Sequence, residues 1–273
     1  MDEIDRFLQE DLGEGDITSD ALFTRERGKA VVIVNQKGIL AGAMEAKLIF
    51  ERLNCEVKLL KKDGGGIEKG EKLLEIEGPI KSILGGERLA LNFLGRMSGI
   101  ATQVRGMMDK CRKINPDVKI AATRKTTPGF RRWEKKAVAI GGGYPHRMGL
   151  WDEVLIKDNH LAAIGSIEKA VKLAKEKITG KIEVEVTCLE EVKVASALGI
   201  DAIMLDNLSP SEGEKAAQII RKMSPGTLIE SSGGINAENV GDYAPYSDLI
   251  SCGSLTHSAK NLDFSLKVIC KIS

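Results

Sequence analysis

The second half of the chain alternates short apolar segments with amphipathic ones, and this alternation restricts the possible folds more than any other feature. Amphipathic helices are predicted over residues 166–176, 189–198 and 211–222. The six apolar segments are predicted strands, and they read KIAATRK, VLIKDN, KIEVEVT, DAIMLDN, TLIESSGG and DLISCGS. Strands joined by crossover helices run parallel, so these segments form either a barrel or an open sheet with helices on both faces.

The polar residues at the strand ends favour the barrel. Almost every predicted strand ends in charged, polar or glycine residues. Active sites of α/β barrels are built from the carboxyl ends of strands all around the barrel, whereas open sheets bind ligands at one switch point. Six strands are too few for a closed eight-stranded barrel. We therefore predict an incomplete α/β barrel of six to seven strands over residues 105–259.

The first hundred residues have a different texture and indicate a separate domain. Short strands and turns are predicted within residues 29–42 and 57–76, with helices over 45–53 and 81–106. This pattern is typical of an N-terminal α/β sandwich, which we place at residues 1–104. We expect residues 260–273 to complete it.

Composition excludes several classes of protein. The apolar fraction of 42% suffices for a core, and no segment approaches the run of about 20 apolar residues that spans a membrane. The acidic N-terminus lacks the basic start and apolar run of a signal peptide. The five cysteines are scattered and odd in number, without a C-x-x-C pair. They are interpreted as reduced thiols rather than zinc ligands, so we expect a cytoplasmic protein without a membrane partner.

Cations are concentrated between residues 121 and 161, although the formal net charge of the whole chain is only +1. This segment also holds two of the three histidines, His146 and His160. The cations are Arg124, Lys125, Arg131, Arg132, Lys135, Lys136, Arg147 and Lys157. A local positive cluster on a near-neutral protein indicates a small anionic ligand rather than a polyanion. We expect the four between 131 and 136 to form mainly a solvent-exposed helix face.

The strand ends bring together three kinds of group, all expected at one face of the barrel. Cations come first, and they can bind carboxylate or phosphate. Carboxylates follow at Glu185 and Asp206, where they could hold Mg²⁺ or stabilise a developing positive charge. Glu183 shares one strand face with Glu185, and a carboxylate inside the barrel needs a partner or a ligand. The last loops are rich in glycine and suited to phosphate; they contain Ser232, Gly233, Gly234 and Gly253.

The motifs together resemble those of quinolinate phosphoribosyltransferase, also called carboxylating nicotinate-nucleotide pyrophosphorylase. The similarity covers about residues 10–268, almost the whole chain. The motifs, in the order of that family, are DLGEGDITS, ERLALNFLGRMSGIAT, TRKTTPG, GGGYPHRMGL, VLIKDNH, IEVEV, IMLDN, SGGI and ISCGSLTHS.

This resemblance implies a reaction and an assembly. Quinolinate and phosphoribosyl pyrophosphate, with Mg²⁺ as cofactor, would give nicotinate mononucleotide, pyrophosphate and CO₂ in NAD biosynthesis. The implied fold is a sandwich plus an incomplete barrel, in a homodimer or an assembly of dimers with shared active sites. The sandwich of one subunit would cover the barrel mouth of its partner.

The resemblance also implies roles for individual residues. Lys125, Lys157, Glu185 and Asp206 would be catalytic, and the two carboxylates would also hold Mg²⁺, directly or indirectly. Quinolinate is a dianion, and its binding residues would be Arg88 from the neighbouring subunit, Arg124, His146 and Arg147. The ribose 5′-phosphate would be held by Ser232, Gly233, Gly234 and Gly253.

The chain departs from the family pattern at a few positions. Pro145 stands where many relatives have Asn, Trp133 where an aliphatic residue is more usual, and Ser231 where Ala or Val is commoner. Pro145 fixes φ and removes an N–H, so any hydrogen bond made through that amide elsewhere is absent. No charged candidate is lost.

Three alternative functions stay open at this point. A paralogous branch of the same fold is associated with molybdate transport, but TRKTTPG and LIKDNH favour the quinolinate branch. A nucleic-acid-binding module could use the cations of 124–147, but such modules have a basic balance and stacking aromatics, whereas this chain has net charge +1 and 4% aromatics. A non-catalytic scaffold would have no need for the intact set of charges.

Overall fold

The computed structural model describes residues 2–272. The helices are α1 (Glu3–Leu12), α2 (Ile17–Leu22), α3 (Ala43–Arg52), α4 (Ile80–Arg112), α5 (Arg131–Gly141), α6 (Asp158–Ile164), α7 (Ile167–Lys177), α8 (Leu189–Ser196), α9 (Pro210–Met223), α10 (Val240–Tyr243) and α11 (Ser254–His257). The strands are β1 (Arg27–Val34), β2 (Gly38–Ile39), β3 (Glu56–Leu59), β4 (Gly66–Ile67), β5 (Lys72–Pro79), β6 (Lys119–Ala121), β7 (Val154–Ile156), β8 (Ile182–Val186), β9 (Ala202–Asp206), β10 (Leu228–Ser232), β11 (Leu249–Ser251) and β12 (Phe264–Ile272).

The described chain divides into two compact units. One contains residues up to 102 together with those from 259 onward, and the other contains residues 103–258. The boundary falls within α4. Met1 and Ser273, which the sequence analysis assigned to the N-terminal domain, lie outside the described residues.

The first unit is built on an antiparallel sheet with the strand order β12-β1-β5-β3. Strand β1 pairs with both β5 and the last strand of the chain, β12. The segment before β12 crosses α4 closely, because a Cβ at Gly99 would lie 2.1 Å from the carbonyl oxygen of Lys260. A side chain there would push this segment away, so the glycine allows the C-terminal residues to join the N-terminal sheet.

The second unit is built on a six-stranded parallel sheet with the order β6-β11-β10-β9-β8-β7. An additional parallel bridge joins Ala121 to Tyr144. Apolar side chains from strands and helices form its core, including Val184, Ile203 and Ile229, all fully buried. Together with the antiparallel sheet unit, this arrangement confirms the predicted fold class. Since all six strands are parallel, their carboxyl ends lie on the same side of the unit.

Helix α5 differs from the solvent-exposed cation face expected from the sequence, and that expectation is wrong for two of its four cations. Lys135 is only 1% exposed, and its ammonium donates a hydrogen bond to the carbonyl of Pro145. Arg131 donates to Thr126 and to the carbonyl of Met148. Arg132 and Lys136 are exposed, as expected. The helix buries the face that carries Lys135, and the carbonyl acceptor offsets part of the cost of burying the charge.

Among residues 2–272, no helix is both long enough and apolar enough to cross a membrane.

Candidate active site

A cavity of about 420 Å³ lies at the carboxyl ends of the parallel strands. Its volume is typical of a site for a small ligand. It is lined by ten of the predicted residues, namely Arg124, Lys125, His146, Arg147, Lys157, Glu185, Asp206, Ser232, Gly233 and Gly234. The residues that sequence reasoning did not assign to the site include Thr123, Asn207, Glu230 and Ser251.

Two predicted residues do not line this cavity. Gly253 lies behind Lys125, because a Cβ at Gly253 would lie 3.0 Å from the Cδ of that lysine. The carbonyl of Lys125 accepts a hydrogen bond from the Thr256 hydroxyl at 2.8 Å. Gly253 therefore contacts a residue that lines the cavity. Arg88 belongs to the first unit, where its side chain is exposed on α4.

Strands β7 and β8 bring a cation and a carboxylate together. Residues 154–156 pair with residues 182–184 in parallel register, so the residues that follow lie side by side. The Lys157 ammonium lies 2.9 Å from Glu185 Oε2. The Glu185 side chain is 10% exposed and that of Lys157 is 42% exposed, so the lysine reaches the cavity while the carboxylate holds it from below.

The carboxyl ends of β9 and β10 lie close together, and a tight polar turn follows β10. Asp206 is the register partner of Ser232, and the Asn207 N–H donates to the Ser232 carbonyl at 3.0 Å. Gly233 has φ 92°, and a Cβ there would lie 2.6 Å from the Asn207 backbone nitrogen. Gly234 also has positive φ, at 63°. Only glycine fits this turn without strain, so the two strand ends can approach each other closely. The Asn207 amide also donates to Asp206 Oδ2 at 2.6 Å.

The two arginines of the cavity are partly or fully buried. The Nε of Arg124 is buried and has no hydrogen-bond partner among the described residues. Arg147 is only 7% exposed and donates to the carbonyl of Glu153 at 3.3 Å. Burial lowers the pKa of Arg147, and the nearby Arg124 charge lowers it further. The unpaired Nε of Arg124 is therefore a donor that a bound anion could satisfy.

His146 lies at the floor of the cavity in a backbone conformation that is unusual for a non-glycine residue, with φ 56°. Its Nδ1 lies 2.7 Å from the backbone N–H of Arg147. Its Nε2 lies 3.1 Å from Glu230 Oε2 and 3.8 Å from Glu183 Oε2. Both ring nitrogens therefore have partners within the protein.

Glu183 on β8 and Glu230 on β10, the strands on either side of β9, form a buried carboxyl pair. They are 7% and 1% exposed, and the Oε1 of each has no hydrogen-bond partner among the described residues. Burial raises the pKa of Glu183 well above its usual value, and the neighbouring Glu230 raises it further. The pair thus favours a state in which Glu183 is protonated.

Glu230 could have been found in the sequence. It is the one charged residue in the otherwise apolar and hydroxyl-bearing strand LIESS, two positions before Ser232 and therefore on the same strand face. A carboxylate on the inner face of a barrel strand is a signal of a partner or a ligand. The same argument was applied to Glu183 and Glu185, where the sequence pattern IEVEV repeats the charge. The strand LIESS carries only one charge, so its pattern shows no repeat of carboxylates on one face, and Glu230 was missed.

The fold and the cavity define the class of protein: an α/β-barrel enzyme whose strand ends hold a site for anionic substrates. Comparison with known proteins then gives the family. Quinolinate phosphoribosyl transferase, N-terminal domain, is matched by residues 16–98, and its C-terminal domain by residues 100–267. The chain belongs to the quinolinate phosphoribosyltransferase family, which confirms the resemblance seen in the motifs.

Relatives match over nearly their whole length. The probable nicotinate-nucleotide pyrophosphorylase [carboxylating] of Archaeoglobus fulgidus is 45% identical over 258 residues, covering 93% of this chain and 98% of that protein. The protein of the same name from Bacillus subtilis is 42% identical and covers 97% of this chain and 92% of its own length. The crystal structure of NadC from Streptococcus pyogenes is 37% identical, with a TM-score of 0.92 over 99% of this chain and 96% of that chain.

Proposed function

We propose that this protein transfers the phosphoribosyl group of phosphoribosyl pyrophosphate to quinolinate and removes one carboxylate. The products are nicotinate mononucleotide, pyrophosphate and CO₂, for NAD biosynthesis. The observation that carries the proposal is the convergence of Arg124, Lys125, Arg147 and Lys157 on one cavity. The buried Nε of Arg124 has no acceptor among the described residues, so it is available to an anionic ligand. The names of the relatives support the same reaction.

The charges of the cavity suit both substrates. Quinolinate carries two carboxylates, and phosphoribosyl pyrophosphate carries several negative charges. We assign Arg124, His146 and Arg147 to quinolinate, since all three line the cavity and the two arginines are buried or partly buried cations. The glycine turn at Ser232–Gly234 is assigned to the 5′-phosphate, because its positive-φ glycines leave the backbone open to a phosphate.

Transfer joins the pyridine nitrogen to C1 of the ribose and releases pyrophosphate. The ribose develops positive charge as the bond to pyrophosphate breaks, and a carboxylate near that position stabilises it. Glu185 and Asp206 line the cavity and are the carboxylates assigned to this role. The Lys157 ammonium, 2.9 Å from Glu185, is assigned either to the charge of the departing pyrophosphate or to a carboxylate of quinolinate.

Decarboxylation follows the transfer. Once the ring nitrogen carries the ribose it is quaternary and positively charged. The bond from the adjacent ring carbon to its carboxylate then breaks, CO₂ departs, and the electron pair stays on that carbon, where it takes up a proton. The charged ring acts as the electron sink, so this step needs no additional organic cofactor.

Magnesium belongs to this proposal, and the residues of the cavity fit it. Mg²⁺ prefers carboxylate oxygens, water and substrate phosphates to a cage made only of protein ligands. Asp206 accepts one hydrogen bond from Asn207 and is only partly buried, so it keeps ligand capacity. Glu185 is already engaged by Lys157, which suits contact through water. When bound, Mg²⁺ would neutralise charge on the pyrophosphate.

We also propose a shared active site. Arg88 is exposed on α4, so its side chain is accessible to another chain. We assign it to the site of a partner subunit in a homodimer. The cytoplasmic location stays a prediction from the cysteine pattern.

The direct test is an assay of purified protein with quinolinate, phosphoribosyl pyrophosphate and Mg²⁺. We expect nicotinate mononucleotide and one equivalent of CO₂ from the carboxylate next to the ring nitrogen. Nicotinate is the matched control, because it lacks that carboxylate. It should be a much poorer substrate, since its binding leaves a buried cation unpaired. Comparable kcat/KM for the two compounds would contradict the proposal.

A further inference from the structure

The floor of the candidate active site separates it from a second cavity in the barrel unit. The second cavity has a volume of about 310 Å³ and is lined by Ile182, Ala202 and Leu228, the first residues of β8, β9 and β10. It therefore lies at the opposite ends of the strands from the active site. His146 and Glu230 line both cavities, so they form part of the partition between them.

The hydrogen bonds of His146 fix which ring nitrogen carries the proton. The backbone N–H of Arg147 lies 2.7 Å from Nδ1. A backbone N–H can only donate, so Nδ1 is the acceptor and carries no proton. An imidazole keeps at least one ring proton, which must then be on Nε2. Nε2 lies 3.1 Å from Glu230 Oε2, so the Nε2–H donates to Glu230.

We propose that Glu230 is a positioning residue for the reaction, because its carboxylate fixes the Nε2–H tautomer and the ring orientation of His146 at the cavity floor. Glu230 is 1% exposed, so water does not compete for this hydrogen bond. Glu183 lies 3.8 Å from the same nitrogen, beyond hydrogen-bond distance, so Glu230 is the partner of the ring. Neither Glu230 nor Glu183 belongs to the group of residues predicted to contact substrate or Mg²⁺.

The position of His146 also affects its neighbour in the chain. The imidazole links Glu230 on one side to the Arg147 backbone on the other, and the Arg147 guanidinium lines the substrate cavity. Without the Glu230 acceptor the ring can rotate, and the Arg147 N–H loses its acceptor. Because Arg147 is assigned to quinolinate, the loss should weaken quinolinate binding more than binding of phosphoribosyl pyrophosphate. This consequence rests on the proposed function, whereas the tautomer does not.

A metal site is the alternative for the same side chains. His146, Glu183 and Glu230 each offer a ligand atom, and these atoms lie within 4.8 Å of one another. A histidine that binds a metal uses an unprotonated nitrogen and donates its other ring N–H to a neighbour. Here the nitrogen that faces the carboxylates carries the proton, and the other nitrogen accepts. The positive charge of Arg147 beside both carboxylates also disfavours a second cation.

The first test is the tautomer itself, read from ¹H–¹⁵N correlations of the imidazole rings. The chain has only three histidines, so His160→Gln and His257→Gln variants assign the His146 signals. We expect the wild-type protein to show a protonated Nε2 and an unprotonated Nδ1. Glu230→Gln keeps an acceptor and should retain this pattern. Glu230→Met has similar length without an acceptor, and it should give mixed tautomers or fast exchange. A protonated Nδ1 in the wild-type protein would overturn the proposal even if the Met variant does not fold.

The second test is a double-mutant cycle on quinolinate affinity, measured by calorimetry. Glu230→Met should weaken quinolinate binding about 10-fold or more in the wild-type background. In a His146→Ala background the same substitution should change it by less than about 3-fold, because Glu230 acts through the ring. Glu183→Gln is the matched control, since it alters a carboxyl group of similar burial that does not bond the ring. Equal effects of Glu230→Met in both backgrounds would show a structural role only.

Two further outcomes distinguish the positioning role of Glu230 from a metal site and from the proposed function. Elemental analysis of the purified protein should find no stoichiometric divalent metal that Glu230→Met removes, and finding one would replace the positioning role by a metal site. If the wild-type protein forms no nicotinate mononucleotide, the proposed function fails. The tautomer of His146 and its dependence on Glu230 would still decide the positioning role.

Discussion

Glu185 holds Lys157 in place at the mouth of the barrel, with 2.9 Å between Oε2 and Nζ. Lys157 directly follows β7 and Glu185 lies in the neighbouring strand β8, so the ion pair links two walls of the cavity. Glu185 is nearly buried, and a buried carboxylate paired with a partly exposed ammonium is held firmly. The carboxylate thus positions a cation at the cavity, and our proposal also assigns it the negative charge that stabilises the ribose as it becomes positive.

Replacement of Glu185 by Gln should lower kcat by about 100-fold or more, the scale of losing one well-placed electrostatic group. The shape is kept, but the charge that holds Lys157 and faces the ribose is lost. Quinolinate affinity should be unchanged or slightly tighter, because a like charge has gone. Turnover at saturating substrates and calorimetric binding of quinolinate measure the two effects separately.

Glu190→Gln is the matched control for this substitution, because Glu190 is exposed in the first turn of α8. It should leave turnover within about 2-fold, as surface substitutions usually do. If Glu185→Gln loses quinolinate binding but keeps normal turnover, our assignment of this carboxylate to the ribose rather than to quinolinate is wrong.

Gly233→Ala should damage both the phosphate site and the fold around it. A Cβ would lie 2.3 Å from Asn207 Oδ1 and 2.6 Å from its backbone nitrogen, at a φ of 92° that disfavours any side chain. We expect a loss of about 2 kcal/mol or more in the free energy of unfolding. The KM for phosphoribosyl pyrophosphate should rise about 10-fold or more, since the turn must open. Chemical denaturation and steady-state kinetics give the two quantities.

Gly180→Ala supplies the control, because a Cβ there meets no atom within 4 Å and its φ is not positive. It should leave both quantities nearly unchanged. A Gly233→Ala protein with wild-type stability and KM would mean that the turn does not bind phosphate.

The barrel could be predicted from the sequence because the spacing of apolar residues and the position of polar residues agreed at each strand. Apolar runs such as VLI and IML identify buried parallel strands, and the residue after each run identifies the edge where the site lies. Lys157 and Asp206 were found in this way, whereas Glu185 was found from the alternating pattern IEVEV, and all three line the cavity. Such local signals are sufficient when one strand alone decides where a side chain points.

Contacts between distant segments could not be predicted in this way. The burial of Lys135 depends on the carbonyl of Pro145, ten residues away, which a helical pattern does not reveal. Glu230 contacts His146, 84 positions away in the sequence, and only the folded barrel unit brings them together. The contact of Gly253 with Lys125 depends likewise on the path of the chain after β11. In each case the partner, not the residue type, sets the role.

Mixing two inactive variants tests the shared active site. Arg88→Ala and Lys157→Ala should each lose most activity. After subunit exchange the mixture should regain activity, because one site of a heterodimer then contains an intact Arg88 and an intact Lys157. Size-exclusion chromatography and a tagged subunit verify the exchange. The expected recovery approaches one quarter of wild-type activity, since half of the dimers are mixed and each has one intact site.

A second mixture provides the control. Arg124 and Lys157 line the cavity of the same chain, so Arg124→Ala mixed with Lys157→Ala should regain nothing. Recovery in both mixtures, or in neither when exchange is complete, would show that Arg88 does not act in a partner's site.

Lys135 gives a prediction about stability and pH. The pKa of this ammonium is lowered from its usual 10.5 to about 8, mainly by burial and in smaller part by the charges of Arg131 and Arg147. Between these two pH values the unfolded chain binds more protons than the folded one, so the contribution of Lys135 to stability rises with pH. Below about pH 8 both states are protonated, and the folded protein bears the full cost of the buried charge. The gain across the window is at most about 3 kcal/mol.

The measurement is the free energy of unfolding of wild-type protein and Lys135→Met at pH 7.5, 9 and 10.5. The difference, wild type minus variant, should increase steadily with pH, because Met carries no titrating group. Lys136→Met, altered at the exposed neighbour, should show a difference that does not change with pH. A flat difference for Lys135→Met as well would mean that the ammonium keeps its ordinary pKa in the folded protein. In that case the hydrogen bond to Pro145 and nearby carboxylates must compensate fully for its burial.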